Sequence, residues 1–392
     1  MRIKFNIEKI FYWVLGLSVA VIPMPGNSLS SICMVGLLFV WFFYIPFSNK
    51  ITILSKNRNS FLVMLIPLAL ALIGITYTTN FEYGIKKMQL LLPFLVIPLI
   101  LLSTPKEKDI HRFALSCFSF GTFLASIIGI GKAAYLYIND FGNYFYYARF
   151  SELVDKHTTY FSLFIVISSL FIFSELIKSK LKWLWSIPVL VFFVFVLYIT
   201  SARISIAALA AGVVIIAVFE IKSNLKWIAL VLPILIMGVF VMPNFQKRFK
   251  PSETETGQIS DFEFRKLHWK SVLEAIKYYS PLIGNGTGSN RDFLYDTYKE
   301  YRLTSAYELE YNAHNQYLEI TLDFGLIGLF LFLCMLVYLM FTFIKMKNPL
   351  AIAVFSVFII YFLTESLFQR QDGVVTFSLI ITVFLSLKIK ND

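Results

Sequence analysis

The chain has 392 residues, of which 58% are hydrophobic and only 15% are charged. Soluble domains have about 45–50% apolar and about 25% charged residues, so this composition excludes a soluble globular enzyme and a disordered chain. The net charge of +11 would suggest nucleic acid for a soluble protein, but in membrane proteins Lys and Arg collect on cytoplasmic loops. We therefore expect a multi-pass membrane protein that contacts membrane lipids and no nucleic acid.

Apolar runs recur along the whole chain, and a transmembrane helix needs about 20 such residues. The nearly unbroken run from 187 to 219 is too long for one helix, and Thr200, Ser201 and Arg203 divide it into a hairpin. The predicted fold is an all-α integral membrane protein with about 12 transmembrane helices and one large extracytoplasmic loop domain. The predicted spans are roughly 10–24, 29–47, 60–77, 87–103, 112–131, 158–177, 184–200, 203–220, 226–242, 316–344, 349–367 and 373–388.

Basic residues give the predicted orientation. With the N-terminus inside, eighteen Lys and Arg residues fall on cytoplasmic segments and seven on the short outer segments. This bias predicts that both termini are cytoplasmic. The predicted organisation is nine transmembrane helices over 1–242, an outer loop domain over 243–315, and three transmembrane helices over 316–392.

The polar residues of interest lie on the predicted outer side, where no ATP is available. A reaction there must use a substrate that already carries an activated bond. His314 begins the tenth span, and the partial positive charge of a helix start disfavours imidazolium, so His314 is a candidate proton acceptor. The alternative is a capping residue at the membrane interface. Asn315 and Tyr317 share its motif and are expected to bind substrate.

Two arginines are candidate anion ligands. Arg203 opens a helix at the hairpin tip, where amide groups and a guanidinium together favour an anion. The alternative is contact with lipid headgroups. Arg265 lies one turn before Trp269 on an apolar helical stripe, and its alternative is a solvated loop residue.

Further candidates lie at the ends of other spans. Glu365 and Arg370 flank the eleventh span, and Arg370 could be a third phosphate contact; the alternative is a structural ion pair. His157 and Tyr160 open the sixth span, and Lys86 and Lys87 open the fourth, so both pairs could line a mouth. For the lysines the alternative is lipid headgroup contact.

Other motifs are less informative. Gly284-Asn-Gly-Thr-Gly288 lacks the Gly-Lys-Ser/Thr of a P-loop and predicts a tight turn. Known metal-binding motifs, including Asp-x-Asp, do not occur, and we expect no metal or other cofactor. A transporter should carry ionisable residues inside several spans. The predicted mid-span stretches are almost free of charge, which favours surface chemistry over transport.

Several motifs together resemble the O-antigen ligase and polymerase superfamily. The run from His314 to Gly328 (HNQYLEITLDFGLIG) is similar to its signature. The Arg265-Lys-Leu-His-Trp269 segment, the 281–288 loop and the Ser201-Ala-Arg203 hairpin also resemble family patterns, as does Thr364-Glu-Ser366 with Gly373. The resemblance is strongest over roughly 200–373.

The resemblance implies a metal-independent, inverting glycan transfer at the periplasmic face of the bacterial inner membrane. The implied donor is a glycan on undecaprenyl pyrophosphate, and the implied acceptor is a lipid A-core sugar hydroxyl. Family arginines that hold the pyrophosphate correspond to Arg203 and Arg265, and the family histidine that activates the hydroxyl corresponds to His314. An O-antigen polymerase and a protein O-oligosaccharyltransferase are the alternatives within the same fold, and a polysaccharide transporter is the alternative outside it.

Overall fold

The computed structural model describes residues 7–105, 109–220 and 261–387. Within these ranges the secondary structure is helical and contains no β-strand, so the predicted all-α class is confirmed. The predicted span 226–242 and the predicted start of the loop domain at 243 lie outside the described residues. The α-helices are α1 (Ile7–Ala20), α2 (Asn27–Tyr44), α3 (Phe47–Lys56), α4 (Arg58–Met64), α5 (Ile66–Gly74), α6 (Phe81–Leu91), α7 (Pro93–Leu102), α8 (Ile110–Ile138), α9 (Tyr147–Glu152), α10 (Thr158–Ile177), α11 (Trp183–Thr200), α12 (Arg203–Glu220), α13 (Asp261–Tyr279), α14 (Asn290–Glu300), α15 (Thr304–Glu308), α16 (Gln316–Lys345), α17 (Pro349–Phe362) and α18 (Gln371–Leu385).

Fewer helices than predicted are long enough to cross a bilayer. In the described part of the chain six apolar helices qualify when α6 and α7 are counted as one helix, Phe81–Leu102, and a seventh does if the pair α2 and α3, bent by 107°, is one span. The predicted number of about 12 is therefore not confirmed. Helices α17 and α18 have 14 and 15 residues. At 1.5 Å per residue each is about 21–23 Å long, which is less than the ~30 Å of a hydrocarbon core.

Helix α10 lies at the centre of the bundle. Nearly all of its side chains are buried, and it packs against α8, α11, α12 and α17. Its sequence is apolar all round, which is typical of a helix with neighbours on every side. Gly212 of α12 allows close packing, since a Cβ there would lie only 2.6 Å from the Leu170 side chain of α10.

Buried hydroxyl groups connect three helices near one end of the bundle. The hydroxyl of Tyr361 donates to Ser205 Oγ at 2.6 Å, and Ser205 Oγ donates to Ser162 Oγ at 2.7 Å. These residues lie close to the starts of α12 and α10 and the end of α17. Helix α16 begins here too, because the Asn315 amide donates to the carbonyl of Leu363 at 3.1 Å. We call this the His314 end.

The first and last described helices both extend away from the His314 end. Gln371, the first residue of α18, donates to Ser31 Oγ at the start of α2 at 2.6 Å. Helix α1 leads into α2 through a short turn, so it ends here and begins at the opposite end. Ile7 and Leu385 therefore both lie at the opposite end of the bundle.

Helices α13, α14 and α15 form a small second core at the His314 end. Val272, Leu294 and Tyr298 are buried together in it, and Leu322 of α16 joins them. The domain boundaries predicted from the sequence stay a prediction, because residues 221–260 lie outside the described part.

Candidate functional site

The site is built where α16 begins and α17 has just ended. His314 precedes α16, and its Nδ1 lies 3.5 Å from Oε1 of Glu365. The His314 side chain is 36% exposed, whereas that of Glu365 is only 6% exposed. The imidazole can thus meet a ligand on one edge while a buried carboxylate lies behind the other edge.

Two asparagines hold His314 in an unusual backbone conformation. The φ of His314 is 44°, in the left-handed region, which is strained for a residue with a Cβ. Its N–H donates to Oδ1 of Asn312 at 2.9 Å. Asn315 is the N-cap of α16, and its Oδ1 accepts the N–H groups of Tyr317 and Leu318. The sequence Asn-Ala-His-Asn therefore turns the chain and presents the imidazole at the helix start.

Charged groups around Glu365 keep it ionised. Burial by itself would raise the pKa of Glu365, but the hydrogen bond and charge of His314 lower it, helped by His157 and Arg370. The net effect is a pKa below the ordinary value of 4.5. An ionised carboxylate only accepts hydrogen bonds, so it favours a proton on Nδ1 of His314 and leaves Nε2 as the acceptor.

His157 and Arg370 lie close enough to act on this pair. His157 is the N-cap residue of α10, and the protein atoms crowded around it lower the pKa of its imidazole, although part of the side chain reaches the surface. The negative charge of Glu365 opposes that shift, and the positive charge of Arg370 adds to it. Arg370 is exposed at the start of α18. The predicted residues His314, Glu365, His157 and Arg370 are thus brought together.

A second buried carboxylate fixes the segments on which this pair stands. Glu319 Oε2 accepts the N–H of Ala313 at 2.9 Å and the Ser366 hydroxyl at 3.3 Å. Its Oε1 accepts the Gln369 amide at 2.6 Å. One side chain therefore connects the residue before His314 with the residues after Glu365. Glu319 was not among the site residues predicted from the sequence, although it lies one turn into the His314 motif.

His268 lies against His314, although the sequence favoured a solvated loop position for it over a place in the site. The ring centroids are 5.7 Å apart, and Tyr311 packs edge-on to His314 at 5.3 Å. His268 is buried, and its Nε2 lies 2.7 Å from the hydroxyl of Tyr298. Burial raises the pKa of Tyr298 and the charge of Glu319 raises it further, so this hydroxyl stays protonated. The only sequence signal for His268 was its place between Arg265 and Trp269.

The two predicted anion-binding arginines are placed differently. The predicted hairpin is present: α11 ends at Thr200, Ser201 has a φ of 50°, and α12 begins with Arg203. The hydroxyl contacts of Ser205, two residues later, place Arg203 at the His314 end. The backbone of Arg265 lies in α13, one turn before His268. Its side chain lies outside what the structure describes.

Three predicted substrate ligands are held by protein groups. Tyr160 is fully buried, and its hydroxyl donates to the carbonyl of Ser366 at 3.4 Å. Tyr317 packs edge-on to Phe332 and Phe362. Asn315 is used as a helix cap. In this structure these three residues support the site from behind.

The two predicted mouth lysines differ from each other. The span that carries them begins at Phe81, not at 87, so both lie inside α6. Lys86 is 65% exposed and pairs with Glu82 of the same helix at 2.8 Å, so we assign it no role in binding substrate. Lys87 is 5% exposed and pairs with Asp323 of α16 at 2.5 Å. A buried ion pair thus lies within the first turns of two spans, a feature that the prediction of mid-span stretches almost free of charge did not include.

These features define a helical membrane protein with a histidine and a paired carboxylate at one end of its bundle. A family model for O-antigen ligase matches residues 188–333, from α11 to the middle of α16. This match supports the O-antigen ligase superfamily, as the sequence motifs predicted, and its members are glycosyltransferase-like enzymes. The matched range contains Arg203, Arg265 and His314. A comparison with curated proteins gave no match.

Proposed function

We propose that the protein is an O-antigen ligase type glycosyltransferase that moves a glycan from undecaprenyl pyrophosphate to a sugar hydroxyl of lipid A-core. The observation that carries the proposal is the His314–Glu365 pair at the end of the bundle where Arg203 also lies. The family match over residues 188–333 supports the reaction class.

His314 acts as the general base. A sugar hydroxyl is a weak nucleophile, and a base that removes its proton in the transition state contributes roughly 10²–10⁴ in rate. Because Nδ1 of His314 faces the ionised Glu365, Nε2 receives the proton from the acceptor hydroxyl. The negative charge of Glu365 then stabilises the imidazolium that forms.

The leaving pyrophosphate needs positive charge, and the proposal assigns this to arginines without a metal ion. Arg203 brings a guanidinium to the start of α12, and a guanidinium at a helix start favours an anion. Arg265 of α13 and the exposed Arg370 at the start of α18 are the further ligands of the diphosphate. Two or three guanidiniums offset the charge that develops on the leaving oxygen.

The reaction is a single displacement. The acceptor oxygen forms a bond to the anomeric carbon of the glycan, while the bond from that carbon to the pyrophosphate oxygen breaks. The acceptor proton goes to His314, and undecaprenyl pyrophosphate leaves with its electron pair. One displacement inverts the configuration at the anomeric carbon.

The proposed setting is the bacterial inner membrane, with the His314 end on the periplasmic side and both termini in the cytoplasm. The bias of eighteen basic residues against seven supports this orientation. The described helices agree with it, because Ile7 and Leu385 lie at the same end of the bundle.

A complementation assay tests the proposal. Cells that lack the protein receive the wild-type gene, His314→Ala, or His111→Ala at the opposite end as a matched control, and surface and lipid-linked polysaccharides are separated on gels. A ligase predicts that His314→Ala removes O-antigen from lipid A-core while lipid-linked long polymer accumulates and membrane insertion is normal.

Each alternative gives a different pattern in that assay. If the protein is a polymerase, His314→Ala cells carry a single repeat unit on lipid A-core and make no long polymer. If the protein is a protein O-oligosaccharyltransferase, His314→Ala cells keep intact lipopolysaccharide and their proteins lack the glycan. Normal glycan transfer in His314→Ala would exclude His314 as the general base. Retention of lipid-linked glycan on the cytoplasmic side of the membrane would indicate that the protein is a transporter.

A further inference from the structure

Helix α16 is broken at Gly325, and a loop occupies the break. Gly325 has φ 63° and ψ −165°, so the helical bonds from residues 326 and 327 to 322 and 323 are absent. The 281–289 loop replaces them. Its N–H groups at Asn285 and Gly286 donate to the carbonyls of Leu322 and Asp323 at 3.0 and 2.9 Å. In return the N–H groups of residues 326 and 327 donate to the loop carbonyls of residues 281 and 282 at 2.9 and 3.1 Å.

Close backbone contact explains the glycines of this loop. A Cβ on Gly284 would lie 2.4 Å from the backbone of Asp323, and a Cβ on Gly325 would lie 2.2 Å from the backbone of Leu282. The predicted tight turn at 284–288 therefore fills the break in α16 and supplies its missing hydrogen bonds. We call this part of the loop the backbone plug. Non-helical backbone inside an apolar bundle is tolerated only where such partners satisfy it.

The same loop contacts α5 and α6 on its other side. Thr287 donates through Oγ1 to the carbonyl of Ala71 at 2.7 Å and through its N–H to that of Gly74 at 3.2 Å. A Cβ on Gly288 would lie 2.7 Å from the backbone nitrogen of Gly84 in α6. The loop is thus held between α5, α6 and the break in α16.

A buried ion pair connects α6 with α16 next to the break. Nζ of Lys87 in α6 lies 2.5 Å from Oδ2 of Asp323, with 5% and 1% of the two side chains exposed. Lys87 also lies within electrostatic range of Glu319, one turn earlier on α16. The Lys87 ammonium is too deeply buried to touch a substrate at the surface of the bundle. An ionisable pair between spans is costly to bury, and such pairs are commonly kept for a function.

Because of the break, the first part of α16 is held by contacts of its own and not by the rest of the helix. This segment, Gln316–Phe324, is no longer continued by helical hydrogen bonds beyond Gly325. Near its start Glu319 binds the chain on both sides of the site, and near its end Asp323 is held by Lys87 and the loop. His314 directly precedes the segment, so a rotation or shift of the segment would move the imidazole relative to Glu365.

We propose that Lys87 and Asp323 are positioning residues that fix the Gln316–Phe324 segment and the inserted 281–289 loop in one register, and thereby place His314 against Glu365. This inference rests on the proposed function for its kinetic test. It assigns Lys87 an indirect role, in place of the substrate contact expected from the sequence.

The adjacent lysines give a matched test. Lys87→Met removes the buried charge, and Lys86→Met makes the same change at an exposed surface pair. Transfer from undecaprenyl-pyrophosphate-linked glycan to lipid A-core is measured with purified protein. We expect Lys87→Met to lower kcat at least tenfold with KM changed by less than threefold, whereas Lys86→Met stays within twofold of the wild type. Wild-type kcat in Lys87→Met would overturn the proposal.

Two further variants separate positioning from plain stability. Lys87→Met with Asp323→Leu removes both charges, so no uncompensated charge stays buried, and Tm should recover. We expect kcat to stay low because the directional contact is missing; recovery of kcat together with Tm would reduce the pair to a stability role and overturn the proposal. Lys87→Arg keeps the charge and should restore at least part of kcat; no recovery at normal Tm would count against the proposal.

A readout without substrate separates this inference from the proposed function. The rate of His314 carbethoxylation by diethylpyrocarbonate is followed against pH by mass spectrometry. A shifted midpoint in Lys87→Met, but not in Lys86→Met, supports the positioning role even if the wild type transfers no glycan from this donor. An unchanged midpoint in both variants contradicts it, whatever the transfer assay shows.

Discussion

The imidazole rings of His268 and His314 lie 5.7 Å apart although one belongs to helix α13 and the other to the turn before α16. Tyr298 joins the two elements: its hydroxyl is 2.7 Å from Nε2 of His268 and 3.3 Å from the carbonyl of Tyr311. The loop helices are therefore fixed to the segment that carries His314, the proposed general base. The same helix α13 carries Arg265, so its placement affects two of the proposed groups at once.

Tyr298→Phe should weaken this connection. Removal of the hydroxyl takes away one hydrogen-bond partner of the buried Nε2 of His268, which we expect to destabilise the protein by about 1–3 kcal/mol. Transfer should fall several-fold because the turn that holds His314 loses its contact. Tyr307→Phe is the control, because it also removes a hydroxyl but keeps the ring that Lys299 contacts. Thermal unfolding in detergent and transfer assays check both, and equal stability of the two variants would contradict the prediction.

Glu365→Gln tests the partner of the histidine. Glutamine keeps the size of the side chain but removes the charge that stabilises imidazolium, so we expect kcat to fall about tenfold or more. Glu308→Gln on the exposed face of α15 is the control. Retained wild-type kcat in Glu365→Gln would show that the carboxylate does not assist His314.

The same variant carries a pH signature with a defined sign. The pKa of Glu365 is lowered in the folded protein, so ionisation of Glu365 stabilises the fold above its ordinary pKa of 4.5, and this contribution disappears as pH falls through the folded value. The stability advantage of the wild type over Glu365→Gln should therefore be complete above the ordinary pKa of 4.5 and shrink as the pH falls below it. Unfolding curves over this range measure it, and a difference independent of pH would refute the assignment.

Local patterns in the sequence predicted some elements well. The predicted spans 158–177 and 203–220 coincide with α10 and α12, because polar residues at Thr158 and Arg203 mark both starts next to continuous apolar runs. His314 and Glu365 were both identified from polar residues at span ends. Their contact could not be predicted, because it depends on how α16 and α17 pack.

Other features depend on contacts that no local pattern reveals. The run 316–344 is apolar enough to predict one straight helix, and neither of the two glycines within it, Gly325 and Gly328, indicates a break by itself. The break at Gly325 exists because the distant 281–289 loop supplies its hydrogen bonds. Likewise Lys87 resembles a surface lysine in sequence, and its burial is tolerable because Asp323 pairs with it and Glu319 lies nearby.

Arg203→Lys tests the anion site. Lysine keeps the charge but loses the planar fork that binds two phosphate oxygens at once. We expect kcat/KM for the lipid-linked donor to fall about tenfold or more, with expression and Tm unchanged. Arg58→Lys at the opposite end of the bundle is the matched control. Full activity of Arg203→Lys would indicate that a positive charge at a headgroup is all that this position requires.

Gly325→Ala tests the backbone plug. Its positive φ is strained for alanine, and the new Cβ would lie 2.2 Å from the backbone of Leu282, so the loop has to move out of the break. We expect the free energy of unfolding to fall by about 3 kcal/mol or more, because the backbone groups that lose their partners lie in an apolar environment. Gly131→Ala inside α8 is the control: no atom lies within 4 Å of its Cβ, and stability should change by less than about 1 kcal/mol. Size-exclusion profiles and thermal unfolding of both variants in detergent measure the difference. A monodisperse Gly325→Ala protein with wild-type Tm would mean that the loop is not needed to complete α16.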